Sequence, residues 1–474
     1  MITEFILFIA AAVTVYYLSP SKIKWMVLLT ASIIFYANLN AECIPIFATT
    51  MVLTFCTALA IEKFPKYKKH TVSICLLLTA GIWYYYKILG ILFCSLDLFA
   101  GKWMVPVGIS YYTLQSAGYL FDVYHGQKAE RNILKYSLFL LWFPGIIQGP
   151  ISRYSELMPK LEANHKFDYN TMVSDLLLIL FGGIKKFVIA DVAASYVNYV
   201  FPLSDNLHGL VLYIGILAYS LQIYMDFSGC VDICRGVSAL FGVYLRPNFN
   251  TPYFSRSIKE FWRRWHITFS TWMRDYLYIP LGGNRRGTGR KYVNILLVFL
   301  FSAFWHGGSL TFLVWGMLHA AYQIIGEYTE KNRERVKEKL HIHGGTALEA
   351  VIQVVITFHL VAFAWIFFRA SNMSQAFYYI INMFRITGAG NSFSQILGII
   401  GFNEIQLLAI MINTVIVLYV DYRHYHHSSG IRKSIQSKNI VIRWMIYYAL
   451  IYDFILFGEY GESVAQSAFL YGGF

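Results

Sequence analysis

Apolar runs recur along the whole length of this chain, near 2–18, 24–38, 45–61, 71–86, 103–121, 136–151, 172–192, 209–227, 231–244, 292–305, 309–326, 349–368, 404–421 and 440–458. Such runs can be buried in a soluble core or in lipid, and composition separates the two. Only 14% of the 474 residues are charged and 57% are hydrophobic, with a mean hydropathy of +0.50. Soluble domains carry about 25% charged residues. The expected class is therefore an all-α polytopic membrane protein, not the two or three soluble domains that length alone would suit. Several runs fall short of the roughly 20 residues a crossing needs, so about nine to twelve crossings are expected. The remaining runs would be re-entrant or interfacial helices, which must satisfy their backbone polar groups within protein. The first run lacks a basic n-region and an A-x-A-like cleavage site, so it reads as a retained helix.

The net charge of +13 sits in loops between apolar runs. "EKFPKYKKH" (62–70) is basic and "NLNAE" (38–42) is not. That is the positive-inside pattern, and it removes the case for a nucleic-acid partner. It places the N-terminus outside and the 62–70 loop in the cytoplasm. The six cysteines show no C-x-x-C spacing and read as free thiols. "RHYHHSS" (423–429) has no metal-ligand spacing, and no metal site is expected. Two apolar runs are interrupted: "WFPGIIQGPISRY" (142–154) and "FGGIKKF" (181–187). Proline and glycine there predict kinks or re-entrant turns.

Charge is concentrated at 246–291, where ten Lys/Arg face two acids. Within it, "EFWRRWHITFSTWMRDYLYIPLGGN" (260–284) has helical periodicity. Phe261, Trp262, Trp265, Phe269, Trp272, Met273 and Tyr276 fall on one face, with Arg264, Thr268, Thr271 and Asp275 on another. A basic amphipathic helix at the membrane interface explains tryptophan at headgroup depth and snorkelling arginine. It does not explain His266, nor the further cations of "YIPLGGNRRGTGRK" (278–291). A cytoplasm-facing pocket for an anionic cofactor explains both. Arginines would pair with phosphates, and tryptophans would stack on a base.

Three histidines lie in apolar surroundings: His306, His319 and His359. An ionisable group at membrane depth is a functional candidate, with a neutral interhelical hydrogen bond as the plain alternative. His306 stands apart, because Trp305 precedes it and Gly307–Gly308 follow. The glycines permit close approach of a substrate. Imidazole suits proton abstraction from a hydroxyl at neutral pH. The sequence has no G-x-S-x-G, H-E-x-x-H, Walker A or G-x-G-x-x-G motif. Single-displacement acyl transfer with a histidine base fits better than covalent catalysis, metallohydrolysis or nucleotide hydrolysis.

Six stretches together resemble the membrane-bound O-acyltransferase (MBOAT) family in its bacterial polysaccharide O-acetylation branch. They are "PVGISYYTLQSAGYLFDVYHG" (106–126), "FPGIIQGPISRY" (143–154), "QIYMDFSGCVDICRGVSALFG" (222–242), "RPNFNTPYFSRSIKEFWRRWHITFSTWMRDYLYIPLGGNRRG" (246–287), "FWHGGSLTFLVWGMLHA" (304–320) and "FAWIFFRA" (363–370). The resemblance covers about 100–370. It implies N-terminal transmembrane helices at 1–100, a catalytic core at 101–370 and C-terminal helices at 371–474. The implied fold is a bundle with re-entrant and interfacial helices around a central tunnel. The family's histidine falls on His306, as general base, and its second polar position falls on His266, forty residues earlier. No tightly bound cofactor is implied. The implied acyl donor is acetyl-CoA, held by Trp262, Arg263, Arg264, Trp265 and Arg274. The implied setting is the lipid bilayer of the bacterial cytoplasmic (inner) membrane, with a periplasmic or extracellular acetyltransferase partner. Departures from the pattern are small: Phe304 stands before "WHG", and Gln148 lies in the "FPGIIQGP" turn. Three rivals remain open: D-alanyl transfer from a carrier protein to teichoic acid, a transporter, and a structural subunit of a polysaccharide synthesis complex.

Overall fold

The computed structural model describes residues 2–89, 104–339, 346–385, 393–402, 404–426 and 431–460. Cys94, residues 427–429 of the histidine tract and the tail after residue 460 lie outside the described residues. Regular structure is helical, with no strand among the described residues. Among the described residues, six helical stretches are long and apolar enough to cross a membrane: Ser21–Lys63, Pro65–Leu89, Leu210–Ala239, Ala347–Arg369, Glu404–Tyr425 and Ile440–Phe457. Ser21–Lys63 reaches 43 residues because one 3₁₀ turn, Ala41–Cys43, joins Lys24–Asn40 to Ile44–Lys63. Thr288–His306 and Leu310–Tyr328 have 19 residues each. The chain is thus an all-α, multi-pass membrane protein. The described cysteines 43, 56, 75, 230 and 234 are free thiols.

The chain divides into two compact units, Met1–Ile179 with Cys230–Pro247, and Leu180–Gly229 with Asn248–Leu470. In the first, aromatic rings pack against one another at buried positions. Tyr136 is fully buried against Tyr119, Phe139 and Phe55, and its hydroxyl lies 2.8 Å from Thr54 Oγ1. The 142–154 segment breaks as its prolines and glycines predict. Phe143–Ile146 is one short helical turn, with Pro144 in it, and regular helix resumes only at Tyr154. A Cβ on Gly149 would lie 2.8 Å from the Gly145 carbonyl oxygen, so the turn needs glycine there. Trp142 Nε1 donates to Ser238 Oγ at 3.1 Å, which pins the turn.

In the second unit, 181–187 behaves differently from a broken run. Tyr169–Gly183 passes without interruption into a π-helical turn, Ile184–Ala190, and on into Asp191–Val200. The extra residue of a π turn re-aims a side chain. Here Lys186 points inward, 2.8 Å from Asp191 Oδ1 and 2.5 Å from Asp226 Oδ1. Gly229 lets the neighbouring helix approach, since a Cβ there would lie 2.7 Å from the Gly182 carbonyl oxygen.

The expected single helix over 260–279 is two. Ile258–Arg264 and Ile267–Met273 are separated at Trp265, which is extended, and His266, which is left-handed (φ 44°, ψ 53°). Apolar spacing continues unbroken through this point, so periodicity conceals it. The break is set from upstream. Asn250 N–H donates to the Arg264 carbonyl at 3.0 Å, and Ile267 N–H donates to the Asn248 carbonyl at 2.9 Å. Asn248 Oδ1 accepts from Thr268 N–H at 3.1 Å and from Thr268 Oγ1 at 2.6 Å. The segment 248–250 thus supplies partners for helix-end groups that would otherwise be orphaned.

Candidate functional site

Helices of the second unit build the site, Ile267–Met273 with its N-cap His266 among them. Ile258–Arg264 starts at Ser257, whose Oγ accepts from Glu260 N–H at 3.2 Å. Glu260 Oε1 then accepts from Arg264 Nε at 2.9 Å, one turn on. Thr288–His306 ends at its histidine, where Gly308 takes the left-handed conformation glycine allows (φ +67°) and its N–H donates to the Ala303 carbonyl at 3.3 Å. A Cβ on Gly307 would lie 2.8 Å from the Phe312 ring. Leu310–Tyr328 returns alongside, and Gly316 allows the contact, since a Cβ there would lie 2.7 Å from the Phe299 carbonyl oxygen. Ala347–Arg369 contributes Trp365 and Phe368.

His306 is buried (2% exposed) in a box of aromatic rings. Centroids lie 4.8 Å away at Trp305, 5.3 Å at Trp315, 5.2 Å at Phe368 and 6.0 Å at Phe269. His266 is also buried, at 1% exposed. It stacks on Phe269 at 4.9 Å and meets Phe227 edge-on at 4.8 Å. Burial pushes its pKa down to about 3, so the ring is neutral. Phe269 therefore touches both histidines and draws them into one cluster. A non-glycine residue in the left-handed region stores strain and persists only when its surroundings fix it. Asn248, Asn250 and Thr268 supply that fixing for His266.

His319 lies in the same cluster, 5.3 Å from the Trp315 ring and 5.9 Å from Phe299. Trp262 Nε1 donates to His319 Nδ1 at 3.2 Å. Nδ1 is thereby an acceptor, so the proton of the neutral ring sits on Nε2. His319 thus also fixes the indole of Trp262. His359 lies apart, exposed on the surface of Ala347–Arg369, where its Nε2 meets the Tyr213 hydroxyl at 2.8 Å.

A cavity of about 1250 Å³ opens beside this cluster. Arg256, Lys259, Arg263, Arg274, Lys291 and Arg333 line it, against Glu327, Glu330 and Glu349. Trp262, Phe269, Phe299 and Leu360 supply apolar wall, and Ser302 also lines it. Ser302 is one helical turn before His306, a rise of about 6 Å. Its Oγ is buried without a hydrogen-bond partner among the described residues. The cavity borders Thr288–His306 from Lys291 to Ser302, Ala347–Arg369 from Leu348 to Leu360, and the C-terminal half of Leu310–Tyr328. It therefore runs from one end of these helices toward the histidine.

Of the five donor-site residues read from sequence, Trp262, Arg263 and Arg274 line the cavity. Arg264 does not: it pairs with Glu260, donates to the Asn250 carbonyl at 3.1 Å and to Thr251 Oγ1 at 3.2 Å, and lies over the Tyr425 ring. Trp265 does not either, being fully buried against Phe249, Phe261 and Trp365. Sequence reasoning missed Asn248, Phe269, Ser302 and the rim residues Arg256, Lys259 and Arg333. Only the rim had a signal, in its charge. No cluster of His, Cys, Asp or Glu suited to a metal occurs among the described residues.

The sequence profile of the membrane-bound O-acyltransferase family matches residues 122–372. The chain is 33% identical over 429 residues to a probable alginate O-acetylase, AlgI, of Azotobacter vinelandii, covering 87% of this chain and 82% of that one. It is 32% identical over 400 residues to a peptidoglycan O-acetyltransferase of Helicobacter pylori, covering 77% and 74%. It is 29% identical over 276 residues to a teichoic acid D-alanyltransferase of Bacillus subtilis, covering 55% and 68%. The match spans both histidine-bearing helix ends and the cationic cavity between them, and the chain belongs to the membrane-bound O-acyltransferase family, in its alginate O-acetylation branch, as a multi-pass O-acyltransferase.

Proposed function

We propose that this enzyme takes an acetyl group from acetyl-CoA at the cytoplasmic face of the bacterial inner membrane and passes it across for O-acetylation of an extracytoplasmic polysaccharide. The observation that carries this reading is the cavity. Its basic rim suits phosphates, Trp262 offers a flat ring for a base, and its wall ends one turn from His306. Cavities for drug-sized ligands run to about 1,000 Å³, so this one has room for an extended thioester donor. The names of the relatives support an acetyl cargo and a cell-envelope glycan as its destination.

His306 acts as general base in this scheme. It takes the proton of an acceptor hydroxyl as that oxygen attacks the thioester carbonyl. The C–S bond breaks, and the imidazolium returns the proton to the leaving thiolate. His306 ends a 19-residue helix, which fixes the imidazole at one end of the cavity wall formed by Ser302. His266, neutral and fixed, borders the reacting groups through Phe269. A periplasmic or extracellular acetyltransferase completes transfer to polymer.

The donor distinguishes this scheme from D-alanyl transfer, which the Bacillus subtilis relative's name raises. Purified protein in liposomes should turn over acetyl-CoA without a carrier protein. Arg263→Gln with Arg274→Gln should raise the KM for acetyl-CoA about tenfold or more and leave kcat nearly unchanged, because phosphate contacts serve ground and transition states alike. Turnover only from a D-alanyl carrier protein would replace acetyl-CoA as the donor.

A further inference from the structure

We propose that a second cavity in the same unit is a binding site for an anionic phospholipid. It has a volume of about 650 Å³ and lies between Leu210–Ala239 and Ala347–Arg369, both long and apolar enough to cross the membrane. Its polar lining is His208, Tyr213, His359 and Arg385, with no acid among the lining residues. Its apolar lining includes Ile216, Leu217, Ala362, Phe363 and Ile366.

The polar groups are built into place. Gly209 N–H donates to the Asn382 carbonyl at 2.9 Å. Asn382 Nδ2 donates to the Ser204 carbonyl at 2.9 Å, and the Tyr379 hydroxyl to the Leu212 carbonyl at 2.7 Å. These bonds fasten the end of Met373–Met383 to the start of Leu210–Ala239 and so bring Arg385 beside His208. The Arg385 guanidinium has no ion pair among the described residues, and its one hydrogen bond there is a long 3.4 Å contact to Asn382 Oδ1. His208 Nδ1 is buried without a partner among the described residues. His359 Nδ1 lies 2.8 Å from the Val355 carbonyl, so it carries the proton. Nε2 then accepts from the Tyr213 hydroxyl.

The position favours a lipid over the acceptor glycan. Ala347–Arg369 turns Trp365 and Phe368 to the His306 cluster but Ala362, Phe363 and Ile366 to this cavity. The two sites are thus on different faces of one helix. Arg385 and His208 are at the N-terminal start of Leu210–Ala239, and Leu217 is two turns further in, a rise of about 10 Å from Leu210. The start of a crossing helix is at headgroup depth, and its dipole adds positive character there. A phosphate at Arg385 with an acyl chain along Leu217 and Phe363 matches that gradient.

The test uses the full-length protein, stripped of lipid in an uncharged detergent and titrated with phosphatidylglycerol, bound lipid being counted by native mass spectrometry. Arg385→Gln should weaken phosphatidylglycerol binding about tenfold. Ala362→Leu, which keeps Arg385 and fills apolar space, should weaken it as well. Unchanged binding in Arg385→Gln overturns the proposal. So does phosphatidylcholine binding as tightly as phosphatidylglycerol, or inorganic phosphate displacing the lipid at equal concentration. Protection of the cavity by an acetyl-acceptor oligosaccharide and not by lipid would reassign it to the glycan.

Discussion

His306→Ala is expected to lower kcat for acetyl transfer about 10²–10⁴-fold, the range lost when a general base is removed. His306 is absent from the cavity lining, so the KM for acetyl-CoA should stay within about twofold of wild type. That split separates a chemical role from a binding role. His306→Gln fills more of the aromatic box but cannot carry the proton, so it should be as slow as the alanine variant. A protein with an unaltered unfolding temperature and full turnover in both variants would remove His306 from the mechanism.

The largest stability effect is expected at Lys186→Met. Lys186, Asp191 and Asp226 are at most 5% exposed, and the ammonium lies between two carboxylates. Methionine keeps an unbranched chain one atom shorter and leaves two acids buried with their cation gone. Breaking a buried pair in this way costs about 3–5 kcal/mol. The Tm of purified protein should fall by more than about 5 °C. Asp226→Asn added to Lys186→Met removes one stranded charge and should recover part of the loss. Asp226 precedes Phe227, the ring that meets His266 edge-on, so the single variant should also lose activity at temperatures where it stays folded. An unchanged Tm would show that water reaches these groups.

The sequence pointed to the site through charge and glycine. Trp305, His306 and Gly307–Gly308 are contiguous, and the glycines do end the helix as their backbone freedom allows. The positive character of the rim was legible where its residues fall within 246–291, with ten Lys/Arg against two acids; Arg333 and the facing Glu327, Glu330 and Glu349 lie outside that stretch. What stayed hidden depends on partners remote in sequence. No proline or glycine marks the break at Trp265–His266. Asn248 and Asn250 impose it, some sixteen to eighteen residues upstream. Arg263 and Arg264 are neighbours in sequence but about 100° apart on a helix. Glu260 captures one and leaves the other to the cavity. Trp262 and Trp265 share a helical face on paper. The bend after Arg264 turns the second into the core. The Lys186 cluster was half visible, as two lysines in an apolar run, but Asp226 lies forty residues further on.

In the proposed scheme an acyl thioester in the cationic cavity is turned over at His306, and the two meet at the cavity wall formed by Ser302. Ser302→Trp would fill that end with an indole while leaving His306, Arg263 and Arg274 in place. The decisive measurement is acetyl transfer from acetyl-CoA by this variant in liposomes, with CoA binding measured on the same sample. CoA should bind within about threefold of wild type, and transfer should fall at least about 10²-fold. Wild-type transfer with the cavity end blocked would contradict it and send the donor to His306 by another route.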